Sequence, residues 1–247
     1  MNDGRIIQSV VKILSDGSNI AIHADVTEDR KAAERIAYLA HHDLLTDLPN
    51  RIYFREQVDA TLAERKPDEQ IALVHLNLDR FKSINNTIGV SVGDKILQQV
   101  AERIRASAGS ENTLARLGSD EFAILQAGKQ QPWNVTALAD RIRRALSEPF
   151  LHGEKGVELS VSMGIAIAPR DGEETDILLK NAGVALLHAK ADGRKGERFF
   201  TREMDAQMQL RHALEADLRA AVENEEFELH YQPLYDLSSG GSVVSKR

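Results

Sequence analysis

The amino-acid sequence predicts an α/β domain of the α+β sandwich type, in which helices flank a mixed, mostly antiparallel central sheet. Three observations support this prediction. Between residues 44 and 200, amphipathic helical patterns alternate with short apolar runs. The run over residues 71–78 is almost continuously apolar, as expected of a central strand covered on both faces. The strand-like residues 114–116 and 122–125 enclose a short turn, which is typical of a hairpin.

The segment before this domain is predicted to form two strands and a helix. Residues 5–14 and 18–26 are rich in Ile and Val and flank a Ser-Asp-Gly turn at 15–17. Residues 27–42 are charged, with apolar residues at helical spacing, and Thr27 is the predicted N-cap of this connector helix. Its narrow apolar seam suits pairing with a second copy of the chain, and it equally suits packing on its own domain.

The remaining elements follow in order along the chain. Helices are predicted over residues 51–63, from residue 80, and over 92–104, 135–146 and 177–189, with a half-buried strand over 157–168. A long charged helix over 201–223 leads to a strand-like stretch at 227–234 and a Ser/Gly-rich tail. The last part of the chain is too short for another domain.

Composition excludes several classes of function. The chain has 247 residues, with 31 Lys and Arg against 38 Asp and Glu, a net charge of −7. This acidic balance argues against general nucleic-acid binding, which needs a basic surface. Cysteine is absent, so any metal must be held by oxygen or imidazole. The apolar runs are too short to cross a bilayer and the start of the chain lacks a signal-peptide pattern, so we expect a soluble, cytoplasmic protein.

The predicted hairpin turn carries two adjacent acids within the run Gly118-Ser119-Asp120-Glu121-Phe122. Two carboxylates beside a sheet end can attract a hydrated cation. Gly, Ser and Asp are also the ordinary residues of a solvated turn, so the turn taken alone leaves both interpretations open.

Other polar groups follow the buried strand. Asn77 lies at its end, and Asp79 is the predicted N-cap of the next helix, whose free N–H groups attract phosphate. Farther along, an amide and a carboxylate can pair with a base edge, and two cations lie near a helix C-terminus. These are Asn85, Asp94, Lys190 and Arg194. Taken singly, each is typical of surface decoration or of a helix cap.

The order and spacing of these groups resemble a known family. The matching runs are residues 42–51, 77–86, 89–94, 116–122, 162–166 and 189–194. Over residues 43–200 they resemble the GGDEF domain, the diguanylate cyclase fold of bacterial second-messenger signalling, with a nucleotidyl-cyclase or ferredoxin-like sheet. The flanks resemble its usual neighbours. Residues 1–26 are similar to the last strands of a PAS sensor, 27–42 form the connector helix, and 201–247 resemble a linker helix with a truncated EAL-domain start.

The resemblance implies that two GTP molecules condense into cyclic di-GMP in a homodimer, which meets through the connector helix or the active-site face. By position, Asp120 ligates Mg²⁺ or Mn²⁺ together with Asn77 and the backbone oxygen of Leu78, and Glu121 is a second acid of the catalytic pair. A bound dication stabilises charge developing on phosphate. The family's nucleotide-binding roles fall on Asn85 and Asp94 for guanine, and on Phe81, Lys82, Lys190 and Arg194 for the phosphates.

Three positions depart from the family's pattern. Asn77 stands where the family has a metal-binding Asp, so we expect weaker Mg²⁺ binding. Ser119 replaces the middle Gly of the signature, which costs of order 1 kcal/mol if the turn needs a positive φ. The Arg-x-x-Asp of the family's inhibitory product site falls on residues 109–112, Gly-Ser-Glu-Asn, so we expect no such site.

We therefore expect a GTP-binding domain of cyclic di-GMP signalling with weak or absent cyclase activity. An active dimeric cyclase is the alternative. Phosphodiesterase activity is not expected, because the EAL-like portion stops within its first strand. The eight His residues show no repeated ligand spacing and are interpreted as surface or satisfied core residues.

Overall fold

A computed structural model describes residues 5–13, 19–152, 155–193, 196–228, 230, 234–235 and 242–243. Contacts divide the chain into two units, Met1–Met204 and Asp205–Arg247. The elements of the first unit, before the helix that crosses the boundary, are β1 (Ile7–Ile13), β2 (Asn19–Asp25), α1 (Thr27–His41), α2 (Arg51–Glu64), β3 (Gln70–Leu78), α3 (Phe81–Ile88), α4 (Val90–Ala108), β4 (Thr113–Gly118), β5 (Glu121–Gly128), α5 (Trp133–Ser147), β6 (Phe150–His152), β7 (Lys155–Val157), β8 (Val161–Ala168), α6 (Thr175–Ala191) and β9 (Glu197–Phe199).

The centre of the first unit is a five-stranded sheet in the order β4-β5-β3-β8-β9. The pairs β4-β5, β5-β3 and β3-β8 are antiparallel, and β8-β9 is parallel. The mixed, mostly antiparallel sheet flanked by helices confirms the predicted fold class. Strand β3 lies in the middle, which explains why residues 71–78 are almost continuously apolar.

Helices cover both faces of the sheet. Alternate residues of β3, such as Val74 and Leu76, pack with α4 and α5 in the main hydrophobic cluster. The opposite face is covered by α6, which packs on β3 and β8. The predicted half-buried strand over 157–168 is therefore wrong in its burial, since all eight residues of β8 are buried.

Helix α6 lies directly against β8. A Cβ atom placed on Gly164 would fall 2.0 Å from the carbonyl oxygen of Ala182 and 2.2 Å from the backbone nitrogen of Leu186. Two backbones in such contact leave no space for an intervening side chain. Gly164 is therefore required for this packing.

Before the domain, β1 and β2 form an antiparallel hairpin in which Val10 pairs with Ile22, and both strands are exposed. Helix α1 begins at Thr27 itself, so the prediction that Thr27 is the N-cap is wrong. The Asp25 carboxylate accepts hydrogen bonds from the Thr27 N–H at 3.0 Å and from its hydroxyl at 2.6 Å. The Asp25 carboxylate, and not the Thr27 hydroxyl, thus accepts a hydrogen bond from the first N–H of α1.

Helix α1 ends against the domain that follows it. The Asn50 side chain donates to the Ala40 carbonyl at 2.8 Å, and the Asn50 N–H donates to the His41 carbonyl at 2.8 Å. The rings of Tyr38 and His42 stack with centroids 3.9 Å apart. The connector helix is therefore joined to the start of the domain by directed contacts.

The second unit contains most of α7 (Arg202–Glu223), followed by β10 (Leu234–Tyr235) paired with β11 (Ser242–Val243). Of the strand predicted at 227–234, Phe227 and Glu228 lie outside any strand, and residues 229 and 231–233 fall outside the described residues. In the described ranges, no helix combines the length and the apolar character needed to cross a membrane.

Candidate functional site

The signature run forms the turn between β4 and β5. Ser119 has φ 23° and Gly118 has φ 152°, so both lie in the region that favours glycine. The carbonyl of Asp120 accepts a hydrogen bond of 3.1 Å from the Leu78 N–H. The turn is thereby fixed to the end of β3, and the predicted metal residues Asn77, Leu78 and Asp120 come together at one edge of the sheet.

Arg116 fixes the β4–β5 turn through hydrogen bonds to its backbone. Its guanidinium donates to the Ser119 carbonyl from Nε at 3.2 Å and from Nη2 at 2.6 Å. Its Nη1 lies 2.8 Å from the Asp43 carboxylate, just after α1. Arg116 is buried, so this bridge links the end of the connector helix to the signature turn. Sequence reasoning assigned no role to Arg116, although it lies in the matching run.

Asp43 is held as an anion in this bridge. Burial alone raises its pKa, but hydrogen bonds from Thr46 and Arg116 outweigh burial, and the net pKa lies below its ordinary value. The folded protein therefore stabilises the charged form of Asp43.

Asp79 does not cap α3, and the prediction that it does is wrong. Its carboxylate is buried and accepts hydrogen bonds of 2.7 Å from the hydroxyls of Ser160 and Ser162. The N-cap position belongs to Arg80, in the left-handed conformation with φ 58°. Asp79 therefore ties the end of β3 to the start of β8, and both of its oxygens have partners within the protein.

The cation end of the site offers oxygen donors of low total charge. Asp120 supplies a carboxylate, Asn77 a neutral amide and Leu78 a backbone carbonyl, and oxygen donors suit Mg²⁺ and Mn²⁺. The residue types present thus fit a divalent cation, with one full negative charge among the three. In the described ranges, no group of three or more His, Cys, Asp and Glu residues could hold a metal ion.

Glu121 lies directly opposite Asn77 in the pairing of β5 with β3. Its carboxylate is 3.4 Å from Nε2 of His75 and 3.9 Å from Nη2 of Arg51. The close approach of His75 lowers the pKa of Glu121, burial opposes this, and the charges of Lys190 and Arg51 lower it further. Glu121 is thus an anion surrounded by basic groups.

His75 is a feature that sequence reasoning missed. It was interpreted as a surface or satisfied core residue, but within the described residues neither of its buried ring nitrogens has a hydrogen-bond partner. The 3.4 Å contact with Glu121 is an ion-pair distance that falls short of hydrogen-bond geometry. The signal in the sequence was a histidine inside an otherwise apolar central strand.

The predicted guanine residues lie together where α3 meets α4. A Cβ atom placed on Gly93 would fall 1.8 Å from Oδ1 of Asn85, so the amide packs directly against the helix beside Asp94. Within the described residues, this buried Oδ1 has no hydrogen-bond partner. An orphaned amide oxygen of this kind suits a ligand N–H such as those on a guanine edge.

The predicted phosphate residues are placed at two helix ends. Phe81 and Lys82 are the first residues of α3, and the N-cap residue Arg80 makes no side-chain capping hydrogen bond, so the N–H groups at this helix start suit an anion. Lys190 lies in the last turn of α6, close enough for its charge to act on Glu121. Arg194 lies outside the described residues.

Comparison with known proteins identifies the family. The family model described as "Diguanylate cyclase, GGDEF domain" matches residues 40–196. The chain belongs to the GGDEF family. A solved structure comprising only the GGDEF domain of YfiN (TpbB) from Pseudomonas aeruginosa is similar at 34% identity with a TM-score of 0.66, covering 68% of this chain and 99% of that one.

A second solved GGDEF structure also includes a coiled coil. The coiled coil and GGDEF domain of DgcB from Caulobacter crescentus, in complex with c-di-GMP, is 28% identical with a TM-score of 0.63. It covers 71% of this chain and 92% of that chain. Together with YfiN it confirms the predicted fold class.

Curated GGDEF relatives carry different activities in their names. The bifunctional diguanylate cyclase/cyclic di-GMP phosphodiesterase MucR of Pseudomonas aeruginosa is 36% identical over 92% of this chain. The cyclic di-GMP phosphodiesterase PdeR of Escherichia coli is 35% identical over 85% of this chain. The chain spans 33% of MucR and 31% of PdeR, so it corresponds to about a third of these relatives.

Proposed function

We propose that this GGDEF domain binds GTP and serves cyclic di-GMP signalling with weak or absent cyclase activity. The observation that carries the proposal is an imbalance within the site. The guanine and phosphate positions have an orphaned amide oxygen and an open helix start. The cation position has Asn77 where a carboxylate would give the charge that a divalent ion needs.

The chain's own residues would act as follows. Asn85 and Asp94 receive the guanine edge, and the first N–H groups of α3 with Lys190 receive the phosphates. Asp120, Asn77 and Leu78 would hold Mg²⁺ or Mn²⁺, which supplies Lewis-acid stabilisation of charge on the α-phosphate. Asp120 is also the group that would assist removal of the 3′-hydroxyl proton, and Glu121 is the acid beside it. Arg194 would add a second cation at the phosphates.

The alternative is an active cyclase that joins two GTP molecules across a homodimer. It is favoured by the fixed backbone of Asp120, whose carbonyl accepts a hydrogen bond of 3.1 Å from the Leu78 N–H. This bond holds the turn that carries the Asp120 carboxylate. A carboxylate held in place can retain some activity even when a neighbouring ligand has lost its charge. The names of MucR and PdeR are compatible with either level of activity in a domain of this family.

The proposed domain arrangement follows the sequence resemblances. Residues 1–26 would be the C-terminal strands of a PAS-like sensor, residues 27–42 would connect them to the GGDEF domain at 43–200, and residues 201–247 would be a linker helix with a truncated EAL-domain start. The GSDEF turn is a variant of the family signature. The connector helix or the active-site face would join two copies, so that each domain presents one GTP.

The test is incubation of the purified chain with GTP and Mg²⁺, then with Mn²⁺, with the nucleotides separated by chromatography. The Asn77→Asp variant is assayed in parallel, and Asp120→Asn is the inactive control. We expect little or no cyclic di-GMP from the unmodified chain and at least tenfold more from Asn77→Asp, because a carboxylate restores the charge at the cation. Comparable product from both would refute the proposal and favour the active cyclase.

Measuring nucleotide binding tests the GTP-binding part of the proposal separately from the part that concerns cyclase activity. Calorimetric titration with a non-hydrolysable GTP analogue compares the unmodified chain with Asp94→Glu. We expect Asp94→Glu to bind the analogue more weakly. Similar affinities would mean that guanine is bound by other residues. Absence of nucleotide binding by the unmodified chain would leave a role in partner recognition and would overturn the GTP-binding assignment.

A further inference from the structure

His75 occupies an unusual position for an imidazole. It lies in the middle of β3, its side chain is 14% exposed, and its neighbours along the strand are apolar. Helix α6 closes over it, since a Cβ atom placed on Gly183 would lie 3.7 Å from Nδ1 of His75. Within the described residues neither buried ring nitrogen has a hydrogen-bond partner, and such a group calls for a reason beyond packing.

The second acid of the signature lies beside this ring. Oε2 of Glu121 lies 3.4 Å from Nε2 of His75. His75 and Asn77 are two residues apart on β3, so their side chains project from the same face of the sheet. Glu121 is the cross-strand partner of Asn77 and projects from that face as well. Glu121 can therefore turn back towards His75 or forward towards the sheet edge where Asp120 lies.

Arg51 contributes less to the position of Glu121. Its Nη2 is 3.9 Å from the carboxylate, and its side chain is 54% exposed, so solvent screens this contact. Arg51 is also occupied, because its Nε donates to the Leu117 carbonyl at 3.2 Å. The enclosed imidazole is therefore the closer and the less solvent-screened of these two contacts of the Glu121 carboxylate.

We propose that His75 is a positioning residue that holds Glu121 back from the divalent-cation position beside Asn77. The cation is then offered the Asp120 carboxylate and two neutral oxygens. This inference rests on the proposed function, because it takes the cation to bind at Asn77, Leu78 and Asp120. It adds a second cause of weak cation binding, independent of the amide at position 77.

The contact itself is tested without any metal. Imidazole ¹⁵N resonances of His75 are recorded by NMR in the unmodified chain and in Glu121→Gln. We expect the Nε2 resonance to shift when the carboxylate becomes an amide, because the nitrogen faces Oε2. An unchanged Nε2 resonance would overturn the proposal, since the two groups would then not be in contact in solution.

The consequence is tested with Mn²⁺ alone, titrated by electron paramagnetic resonance. His75→Leu removes the ring nitrogens and keeps an apolar strand residue, so Glu121 becomes free to reach the cation. We expect Mn²⁺ affinity to rise about tenfold when His75→Leu is made in the unmodified chain, and not to rise when the same substitution is made in Glu121→Gln. This comparison removes any direct effect of Glu121→Gln on the cation, because that effect is present in both members of the second pair.

A matched pair elsewhere in the chain provides the control. His41 and Glu56 are also 3.4 Å apart, on α1 and α2, and His41→Leu should not change Mn²⁺ binding. The proposal fails if Asp120→Asn weakens Mn²⁺ binding while His75→Leu leaves it unchanged. If Asp120→Asn has no effect, the cation does not bind at this edge and the proposed function fails, whereas the ¹⁵N shift still reports the His75–Glu121 contact.

Discussion

At the scale of single residues, the signature turn carries backbone strain at Ser119. Its φ of 23° lies where L-residues are disfavoured by about 1–2 kcal/mol, and glycine is free of this cost. Ser119→Gly should therefore stabilise the domain by about 0.5–1 kcal/mol, after the greater freedom of glycine in the unfolded chain is subtracted. Equilibrium unfolding in urea measures the change.

Gly118 provides the control for this prediction. Its φ is 152°, and nothing lies within 4 Å of a Cβ atom placed there, so a side chain would meet no obstacle. Gly118→Ala should destabilise the domain by about 1 kcal/mol through the backbone alone. Equal stability of all three proteins would show that the turn is relaxed in solution and that Ser119 is not strained.

Two residues at the site have long-range partners that sequence reasoning did not find. A polar residue after a strand is a reasonable N-cap candidate, but Asp79 instead binds Ser162, a residue far along the chain. The same holds for Arg116, whose partner Asp43 lies on another segment. Local spacing cannot reveal a hydrogen bond that only the tertiary fold creates.

At the scale of elements, Asp79 holds two strands of the sheet together. Ser162→Ala would leave one oxygen of a buried carboxylate without its hydroxyl partner, which costs about 1–3 kcal/mol. Ser147→Ala, at an exposed position near the end of α5, should stay within about 0.5 kcal/mol of the unmodified chain. Urea unfolding compares the two, and equal effects would mean that Asp79 does not depend on this bond.

The bridge between the connector and the turn should show a defined pH dependence. Asp43 has a pKa below its ordinary value of 3.8, so its contribution to stability is complete above that value and is lost as pH falls through the lower folded value. Asp43→Asn should lower the free energy of unfolding by about 1.5–3 kcal/mol at neutral pH. The difference in free energy of unfolding between the variant and the unmodified chain should shrink only below about pH 4.

The control for this pH profile is an acid in an exposed ion pair. Asp68 pairs with Lys129 at the surface, 2.5 Å apart, with both side chains largely exposed. Asp68→Asn should change the free energy of unfolding by less than about 1 kcal/mol. A pH profile for Asp43→Asn that matched Asp68→Asn would exclude a stabilising bridge to Arg116.

The order of elements was predicted well because it depends on local periodicity. The central strand, the hairpin with its acidic turn and the long helices were all placed correctly, within a few residues at each end. The burial of β8 was not, because alternation along one strand cannot report that α6 covers its second face. The candidate site residues stay predictions from the family resemblance, whereas the contact of His75 with Glu121 required the fold.

At the scale of the whole molecule, the proposed homodimer contact through the connector helix can be tested at a single residue. Ile36 is 68% exposed on α1, and Leu39 lies on the same helical face. If the connector helix joins two copies, Ile36→Lys should weaken self-association at least tenfold by placing a charge in an apolar seam. Sedimentation velocity over a range of protein concentrations measures this.

A second exposed apolar residue serves as reference for the dimer. Leu151 is 70% exposed on β6, a different element from α1, and Leu151→Lys should leave the association unchanged. If both variants associate like the unmodified chain, the contact lies instead on the active-site face. In that case, any cyclase activity of the chain should rise with protein concentration, because each product molecule needs two domains.

The direct contact of α6 with β8 at Gly164 has a consequence for regulation. With the two backbones in direct contact at Gly164, the helix that carries Lys190 and the strand that carries Ser162 are packed as a single block at this point. Such a block resists gradual adjustment of its interior. If two copies form the proposed dimer, a signal that reaches this domain would act by changing the distance or orientation between the copies, because the interior of the block resists adjustment.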